Sequence, residues 1–285
     1  MSQGSRAVSA PVKAFVIGHP IAHSRSPLIH GTWLETYGIA GSYEAIDVAP
    51  EALPDFISAL RAGAFAGGNV TIPHKETVFA LCDEVDPLAR RIGAVNTLVS
   101  RHGKVRGTNT DYLGFLGNLD QEAPGWDAPR ELAIVLGAGG AARAILVALA
   151  ERGFSRIAIL NRTADKARAL ADEMGPQFSG HALSGFADLA PRASLLVNTS
   201  SIGMHGSRFE DLPLDALPDT ALVTDIVYTP LQTPLLAEAR ARKLRTVDGL
   251  GMLLHQAVAG FEAWFGRRPE VTAQLRERIE ATLEH

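Results

Sequence analysis

A glycine-rich turn between a short apolar run and a helical segment constrains the fold of this chain most strongly. The run 132–136 (Leu-Ala-Ile-Val-Leu) stops at glycine, which predicts a buried parallel strand. Gly137, Gly139 and Ala142 then occupy the three small-residue positions of a dinucleotide-binding turn. The Ala- and Leu-rich segment 141–152 predicts a helix whose N-terminal N–H groups and positive dipole end face the phosphates. A turn without any ligand is the alternative, but the strand before it and the helix after it favour a nucleotide site.

Length and composition limit the class of protein. The 285 residues predict about two domains, and a hydrophobic content of 46% is enough for sizeable cores. The formal net charge of −4 gives no indication of a nucleic-acid partner, and the apolar helical run 144–150 is far too short to cross a bilayer. Cys82 is the single cysteine, which excludes an internal disulfide and fits a reducing compartment, and residues 1–11 lack the apolar core of a signal peptide. We therefore expect a cytoplasmic α/β protein.

The N-terminal part of the chain alternates strands and helices, which predicts a parallel sheet. Residues 13–18 predict the first strand, and Ser24 and Ser26 follow it, just before or at the start of a helix that Pro27 opens. Two hydroxyls there could bind a carboxylate with help from backbone N–H groups, although Ser26 could equally be only the helix N-cap. No metal is predicted, because neither the spacing nor any acidic cluster supports a metal site at the three histidines of this region, His19, His23 and His30.

Three polar residues lie at or just after the C-terminal end of the third predicted strand, 65–70. Asn69, Thr71 and Lys75 stand at the C-terminal end of that strand, where open α/β sheets keep their ligands. A solvated lysine in the first turn of a helix is the alternative for Lys75. Because a cation is unfavourable at a helix N-terminus, a purely structural role for this lysine is disfavoured.

Two further candidates precede the glycine-rich turn. Asn96 lies inside the predicted strand 93–100, where an amide needs a partner in the protein or in a ligand. Asp111 starts the next predicted helix, and taken alone it is expected only to cap that helix. Proline and glycine residues then mark a loop, so we place a domain crossing near residues 108–130.

The cofactor prediction depends on the residues at the end of the predicted strand 156–160, the first strand after the glycine-rich turn. Asn161 and Arg162 follow this strand about 20 residues past the glycines, where NAD-binding sites carry an acid for the ribose 2′-hydroxyl. An acid would repel a 2′-phosphate, whereas Arg162 and Lys166 could bind one, and Thr163 could cap the next helix and donate as well. An ordinary basic helix start is the alternative, but the missing acid and the two cations favour NADP over NAD.

The last third of the chain adds residues from two segments. Ile226 and Tyr228, at the end of the predicted strand 221–227, share one face because strand side chains alternate. A long helix that follows residues 248–252 carries Gln256 on an apolar face. That glutamine is either an exposed flank of the helix or a polar group aimed at a cleft.

Taken together, the motifs resemble the shikimate dehydrogenase family over nearly the whole chain. The matching stretches are 18–27, 69–75, 93–96, 107–111, 137–141, 161–163, 198–204 and 248–256. The resemblance implies reduction of 3-dehydroshikimate to shikimate with NADPH, in aromatic amino-acid biosynthesis.

The same resemblance implies a two-domain α/β fold. The N-terminal substrate-binding domain, with a mostly parallel sheet, is expected to comprise residues 1–110 and 250–285. A Rossmann-like NADP-binding domain is expected over residues 111–249. The C-terminal helices are expected to return to the substrate domain, which would let Gln256 reach the substrate.

The resemblance also assigns roles to the candidate residues. The catalytic pair falls on Lys75 and Asp111. The substrate carboxylate is expected to meet Ser24, Ser26 and Tyr228. The ring hydroxyls are expected to meet a set of polar side chains: Asn69, Thr71, Lys75, Asn96, Asp111 and Gln256.

On the cofactor side, three groups of residues are implied. The pyrophosphate is expected at Gly137, Ala138, Gly139, Gly140 and Ala141. The adenosine phosphate is expected at Asn161, Arg162, Thr163 and Lys166. The nicotinamide is expected to be bordered by Ile226 and Gly249. His19, where many members carry Asn or Asp, and Lys166, where some carry a second Arg, depart from the family pattern without removing a catalytic group.

Two other functions remain as alternatives. A related dehydrogenase could take quinate and could use NAD. Such relatives often carry Thr at the position of Ser26 and an acid at the position of Arg162, and this chain has neither. A non-catalytic dinucleotide-sensing protein is expected to lack Lys75 or Asp111, and both are present. The expected partner is a small-molecule substrate, with no nucleic acid and no membrane, and the chain is expected to be a monomer or a homodimer.

Overall fold

The computed structural model describes residues 11–283, so the expectation for the N-terminal segment lies, apart from Pro11, outside the described residues. Contacts between Cα atoms divide the chain into two compact units. Unit 1 consists of the described residues up to Asp86, together with Val95–Thr108 and Ala259–Glu270. Unit 2 consists of Pro87–Ala94, Asn109–Val258 and the described residues from Val271 onward.

Strands and helices alternate along most of the chain. The strands are β1 (Val12–Gly18), β2 (Gly41–Asp47), β3 (Gly67–Val70), β4 (Glu84–Val85), β5 (Thr97–Arg101), β6 (Lys104–Thr108), β7 (Leu132–Leu136), β8 (Ile157–Asn161), β9 (Phe178–Ala182), β10 (Ala193–Asn198), β11 (Ile202–His205), β12 (Leu222–Asp225) and β13 (Arg245–Val247). The helices are α1 (Ser26–Tyr37), α2 (Leu53–Arg61), α3 (Thr77–Leu81), α4 (Pro87–Ile92), α5 (Asp111–Glu122), α6 (Gly140–Glu151), α7 (Ala164–Met174), α8 (Phe186–Leu189), α9 (Pro234–Ala241), α10 (Leu250–Phe265) and α11 (Ala273–Glu280). Short 3-10 turns lie at Pro50–Ala52, Leu183–Gly185, Ala190–Arg192 and Leu214–Ala216.

Unit 1 is built on a six-stranded sheet in the order β2-β1-β3-β5-β6-β4. β1 pairs in parallel with β2 and β3, and β4 pairs in parallel with β6, whereas β5 is antiparallel to both β3 and β6. On one face, Ala14 and Val16 pack in a core cluster with Tyr43 and Trp264. The carboxyl ends of β1, β2 and β3 therefore lie side by side, and the loops that follow them carry the candidate residues.

Unit 2 is built on a second six-stranded sheet, in which every pairing is parallel. Its order is β13-β12-β10-β7-β8-β9. If these six strands are numbered 1 to 6 along the chain and read from the β9 edge, the order is 3-2-1-4-5-6. Alternate residues of the fully buried β7 belong to two different core clusters, because the sheet is covered on both faces. This is the doubly wound, Rossmann-like arrangement that the sequence predicts, and its strand order reverses between β7 and β10.

Three predicted element boundaries are wrong in ways that bear on the site. Ser26 is the first residue of α1, and Arg25 holds the N-cap position that was predicted for Ser26. Lys75 precedes Glu76, the N-cap of α3, so the argument from an unfavourable first-turn cation does not apply to this lysine. Asn96 lies just before β5, which begins at Thr97, rather than inside a strand.

The C-terminal part of the chain divides differently from the predicted domains. Only Ala259–Glu270 belongs to unit 1, whereas the start of α10 and the whole of α11 belong to unit 2. Asp248 explains this difference: its Oδ2 accepts a hydrogen bond from Arg276 of α11 at 2.7 Å, and its carbonyl accepts one from Asn118 of α5 at 2.7 Å. None of the helices in residues 11–283 combines the length and apolar character that crossing a membrane requires.

Candidate active site

The predicted site residues divide between the two units. Unit 1 contains Ser24, Ser26, Asn69, Thr71, Lys75 and Asn96. Unit 2 contains Asp111, Tyr228, Gln256 and all the predicted cofactor residues.

Backbone hydrogen bonds connect the loops that follow β1 and β3. Thr71 donates its N–H to the carbonyl of Ile17 at 2.9 Å, and His19 donates its N–H to the carbonyl of Ile72 at 3.1 Å. The His19 ring also contacts the last residue of β2, because its Nδ1 lies 2.6 Å from Asp47 Oδ1. Thr71 is therefore held at the carboxyl edge of the sheet, where the sequence predicts it.

Lys75 lies in the same loop and is half-buried. The neighbouring His74 is 1% exposed, and its Nε2 lies 2.7 Å from the carbonyl of Val48 after β2. The carbonyl of Lys75 accepts a hydrogen bond from the N–H of Val95 at 2.9 Å. The lysine backbone is thus fixed on both sides, which limits the volume that its ammonium group reaches.

Ser24 and Ser26 lie together at the start of α1. The Ser24 hydroxyl accepts a hydrogen bond from the N–H of Ser26 at 3.3 Å. Ser26 is 7% exposed, and its side chain hydrogen-bonds the hydroxyl of Tyr43 in β2. Ser26 therefore belongs to a buried polar network rather than to the helix cap.

That network joins the two predicted amides, Asn69 and Asn96. Tyr43 donates its O–H to Asn69 Oδ1 at 2.6 Å. Asn69 Nδ2 donates to the carbonyl of Asn96 at 3.2 Å and to Thr97 Oγ1 at 3.1 Å. Thr97 in turn donates its O–H to Asn96 Oδ1 at 2.9 Å. The predicted partner of the Asn96 amide thus exists, and it is a side chain of the protein.

Sequence reasoning missed Tyr43 and Thr97. Thr97 could have been found from its position next to Asn96. Tyr43 carries no comparable signal, because 26 residues separate it from Asn69 and only the pairing of β2, β1 and β3 brings the two together.

His30 supports Tyr43 from the face of its ring. The two rings stack with centroids 3.9 Å apart and planes inclined by 15°. His30 is fully buried, and burial lowers the pKa of its imidazole to about 3, so the ring is neutral. Among residues 11–283, no cluster of three or more His, Cys, Asp or Glu side chains has the makings of a metal site.

In unit 2, the glycine-rich turn after β7 has the form that a dinucleotide requires. Gly137 adopts a φ of +109°, and a Cβ at this position would lie 2.9 Å from Thr199 Oγ1. A Cβ at Gly139 or Gly140 would meet nothing within 4 Å. Gly139 is the N-cap of α6, so the first N–H groups of this helix face open space that fits a pyrophosphate.

The alanines around these glycines separate into two kinds. Ala142 is fully buried, as expected for close packing of α6 on the sheet. Ala138 packs against the core cluster beneath that helix, whereas Ala141 is exposed in its first turn. The exposed backbone of Gly139, Gly140 and Ala141 is therefore the part of the turn available to a ligand.

The end of β8 carries Asn161 followed by Arg162, so no acid stands at the position that contacts a ribose 2′-hydroxyl in NAD-binding sites, and Asp165 of the next turn pairs with Arg168. Arg162 and Lys166 are exposed, and neither forms an ion pair with another residue of the 11–283 range. Asn161 Nδ2 donates to the carbonyl of Thr163 at 3.0 Å, which shapes the turn into α7. Thr163 holds the N-cap position, although its hydroxyl makes no capping hydrogen bond within the described helix. Two uncompensated cations beside a strand end fit a 2′-phosphate.

A buried carboxylate lies at the carboxyl end of β12. Asp225 is 1% exposed, and its Oδ1 accepts hydrogen bonds from Asn198 Nδ2 and from the N–H of Val227, both at 2.9 Å. Its Oδ2 accepts a hydrogen bond from the Thr233 hydroxyl at 2.7 Å. Burial raises the pKa of this carboxyl to about 6, and the three donors oppose that rise. Sequence reasoning quoted this aspartate only as part of a strand end.

The Asp225 contacts position the segment that carries Ile226 and Tyr228. Both residues are half-buried. A Cβ at Gly249 would overlap the Ile226 carbonyl, so glycine is required there, and the two residues predicted to border the nicotinamide are in contact.

Asp111 is the first residue of α5 and is half-buried. Its N–H donates to Asn109 Oδ1 at 3.0 Å, and Asn109 Nδ2 donates to the carbonyl of Ala94 at 3.1 Å. Asn109 is 2% exposed, so the turn that presents the aspartate is anchored in the core.

Gln256 is 9% exposed, so the interpretation as an exposed flank of α10 is wrong. Its Oε1 lies 3.5 Å from the hydroxyl of Thr110, and its Nε2 donates to the carbonyl of Leu253 at 3.1 Å. A Cβ at Gly114 of α5 would collide with this glutamine, which shows how closely the two helices approach.

The parallel sheet of unit 2, the open glycine turn and the cations after β8 are typical of a dinucleotide-binding protein. Comparison with known families agrees. Residues 16–98 match the shikimate dehydrogenase substrate binding domain, residues 125–227 match shikimate / quinate 5-dehydrogenase, and residues 249–279 match the shikimate 5'-dehydrogenase C-terminal domain. The chain belongs to the shikimate dehydrogenase family.

Individual relatives are similar over nearly their whole length. Shikimate dehydrogenase (NADP(+)) of Mesorhizobium japonicum is 59% identical, covering 97% of this chain and 98% of the relative. The crystal structure of shikimate 5-dehydrogenase from Thermus thermophilus in complex with NADP(H) and shikimate is 40% identical, with a TM-score of 0.83 over 95% of this chain and 99% of that one. Quinate dehydrogenase from Corynebacterium glutamicum, in complex with NAD, is 31% identical with a TM-score of 0.86, over 95% of this chain and 99% of that one.

Proposed function

We propose that this protein catalyses the reversible NADPH-dependent reduction of 3-dehydroshikimate to shikimate in aromatic amino-acid biosynthesis. The observation that carries the proposal is the 59% identity, over 97% of the chain, to a relative named for this activity with NADP(+). In this proposal unit 2 binds the cofactor.

The substrate residues have side chains suited to a polyhydroxylated carboxylic acid. Ser24, Ser26 and Tyr228 supply hydroxyls for the carboxylate. Amide, hydroxyl and charged side chains serve the ring oxygens: Asn69, Thr71, Lys75, Asn96, Asp111 and Gln256. Buried amides and hydroxyls distinguish hydroxyl-bearing ligands well, because a ligand that lacks a hydroxyl leaves a buried group unpaired.

The cofactor residues form three parts of one dinucleotide site. The segment 137–141 receives the pyrophosphate on the exposed N–H groups of α6. Arg162 and Lys166 receive the 2′-phosphate, together with Asn161 and Thr163. Ile226 and Gly249 border the nicotinamide. When bound, NADPH supplies the hydride that the ketone carbon accepts.

Lys75 and Asp111 manage the proton. A ketone oxygen gains negative charge as its carbon is reduced, and an ammonium group polarises that carbonyl and donates a proton to the oxygen. A carboxylate beside a lysine keeps the lysine charged and correctly placed. In the direction of shikimate oxidation, the neutral amine of Lys75 accepts the hydroxyl proton and becomes the ammonium group.

A steady-state assay that crosses shikimate and quinate with NADP+ and NAD+ tests the proposal. We expect shikimate with NADP+ to give the highest kcat/KM of the four combinations. The quinate alternative predicts that quinate with NAD+ is the best pair, as the ligand of the Corynebacterium glutamicum structure would suggest. A dinucleotide-sensing protein predicts cofactor binding without turnover of either acid.

We further propose a cytoplasmic location and a monomeric or homodimeric state. The presence of a single cysteine supports a reducing compartment. Sedimentation velocity over a range of protein concentrations decides between one copy and two, and a larger assembly would contradict the proposal.

A further inference from the structure

In the buried network of Tyr43, Asn69, Thr97 and Asn96, the atom types determine which group donates and which accepts each hydrogen bond. The carbonyl of Asn96 carries no hydrogen, so the Asn69 atom 3.2 Å away has to be Nδ2. The second hydrogen of that amide points to Thr97 Oγ1 at 3.1 Å. Both donors of Asn69 are thus used within the protein.

The other polar atom of the Asn69 side chain, Oδ1, accepts a hydrogen bond from Tyr43. Burial raises the pKa of the Tyr43 hydroxyl well above its ordinary value, so this group stays protonated and donates to Asn69 Oδ1 at 2.6 Å. A carbonyl oxygen has two lone pairs, which leaves one for a ligand. Asn69 can therefore accept a hydrogen bond from the substrate but has no hydrogen left to donate.

Thr97 transmits the direction to the second amide. The Thr97 hydroxyl oxygen accepts a hydrogen bond from Asn69 Nδ2. The Thr97 hydroxyl donates its own hydrogen to Asn96 Oδ1 at 2.9 Å. This contact turns the Nδ2 of Asn96 away from Thr97. The two predicted substrate amides therefore have opposite hydrogen-bonding roles. Asn69 acts as an acceptor and Asn96 as a donor.

We propose that Tyr43, together with Thr97, is a positioning residue that fixes which way the Asn69 and Asn96 amides face the substrate. The inference rests on the proposed function, because it takes both amides to be substrate contacts. It adds a chemical consequence: Asn69 has to meet a hydroxyl that remains a hydroxyl in both oxidation states. The reacting oxygen has no hydrogen in the ketone form, so it belongs with donors such as Asn96 and Lys75.

The surroundings of Tyr43 suit this role. Its ring lies in a core cluster with Trp264 and is stacked on the neutral ring of His30. Tyr43 is 8% exposed. The hydroxyl is therefore placed by packing and does not depend on a ligand for its position.

The main variant is Tyr43→Phe, which keeps the ring and its stacking and removes only the O–H. We expect the KM for shikimate to rise about three- to tenfold, as for the loss of one buried hydrogen bond. The KM for NADP+ should remain parental, because the predicted cofactor residues belong to unit 2. Tyr37→Phe is the matched control, since Tyr37 lies in unit 1 and its hydroxyl accepts only from the N–H of Glu270 at 3.1 Å among the contacts described.

A second pair of variants keeps the test decisive if Tyr43→Phe does not fold. Thr97→Val removes the hydroxyl at nearly constant volume, and Thr97→Ser restores it. We expect Thr97→Val to raise the KM for shikimate severalfold and Thr97→Ser to return it close to the parental value. Equal KM values for the two variants would overturn the inference.

Substrate analogues separate positioning from a loss of structure. Two mono-deoxy analogues of shikimate each lack one of the hydroxyls that do not react. In the parent, one analogue should lose more kcat/KM than the other, and Tyr43→Phe should shrink that loss because Asn69 is no longer held in place. A purely structural role predicts an unchanged ratio of analogue to shikimate.

Asn69→Ala distinguishes failure of the inference from failure of the proposed site. If Asn69→Ala leaves the KM for shikimate at the parental value, Asn69 is not a substrate contact and the site assignment itself is wrong. If Asn69→Ala raises that KM while Tyr43→Phe and Thr97→Val do not, the site stands and the positioning role is refuted.

Discussion

Replacing Asp225 with Asn tests the electrostatics of the strand end that carries Ile226 and Tyr228. Burial raises the pKa of the Asp225 carboxyl from 3.8 to about 6 in the folded protein. A difference of this size corresponds to about 3 kcal/mol between the two protonation states. Above pH 6 the folded state therefore carries the cost of an ionised, buried carboxylate.

The sign of the pH dependence follows from proton uptake. Between pH 3.8 and about 6 the folded protein holds a proton on Asp225 that the unfolded chain has lost. The free energy of unfolding therefore increases as the pH falls through this window and levels off below it. Asn cannot titrate, so Asp225→Asn should lack this gain, while the other titrating groups affect both proteins equally.

Urea unfolding of the parent and of Asp225→Asn, followed by circular dichroism between pH 7 and pH 4, measures the effect. We expect the stability of the parent relative to the variant to rise by about 2 kcal/mol over that range, because the gain is not complete until the pH falls below 3.8. Asp215→Asn is the matched control, because it makes the same change at an exposed side chain in the 3-10 turn Leu214–Ala216. A difference between parent and variant that stays constant with pH would refute the reasoning.

Three further predictions concern binding. Arg162→Asp should reverse much of the preference for NADP+ over NAD+, because attraction to the 2′-phosphate becomes repulsion; equal kcat/KM for the two cofactors in the parent would contradict this account. Gly139→Val should raise the KM for NADP+ at least about tenfold with an unchanged melting temperature, because its side chain enters open space that we assign to the pyrophosphate. Ser24→Ala and Ser26→Ala should each weaken shikimate binding by on the order of 1–3 kcal/mol while NADP+ affinity, measured by calorimetry, stays the same. Loss of stability with a parental KM for shikimate would instead make these two serines purely structural.

The sheet of unit 2 was predictable because its signals are local. A buried run, a glycine turn and an Ala-rich helix follow one another in the sequence, and the predicted helix over 141–152 is observed as Gly140–Glu151. The cofactor prediction used the same kind of information, since Arg162 and Lys166 occupy a fixed place after the next strand.

The buried contacts of unit 1 were not predictable, because they depend on pairing between distant segments. Tyr43 contacts Asn69 only because β1 lies between β2 and β3. The start of β5 at Thr97 likewise depends on its partners, β3 and β6, so a purely local pattern placed Asn96 inside the strand.

The C-terminal division shows the same limit. The periodicity of α11 shows that it is amphipathic but not which surface it covers. The ion pair between Arg276 and Asp248, 28 residues apart, places this helix in unit 2. The resemblance implied the opposite assignment for α11, and no feature of the sequence alone identifies the pair.

The central claim is that Lys75 and Asp111 act as one unit in proton transfer, and turnover of the Lys75→Ala, Asp111→Asn and double variants tests it most directly. We predict that each single variant loses most of kcat at every pH, and that the double variant is little worse than the more damaged single one. Shikimate binding should persist in Lys75→Ala, because hydroxyls and amides supply most of the contacts. If Lys75→Ala raises the KM for shikimate but turns over at the parental rate, the lysine only anchors a ring oxygen and the claim is wrong.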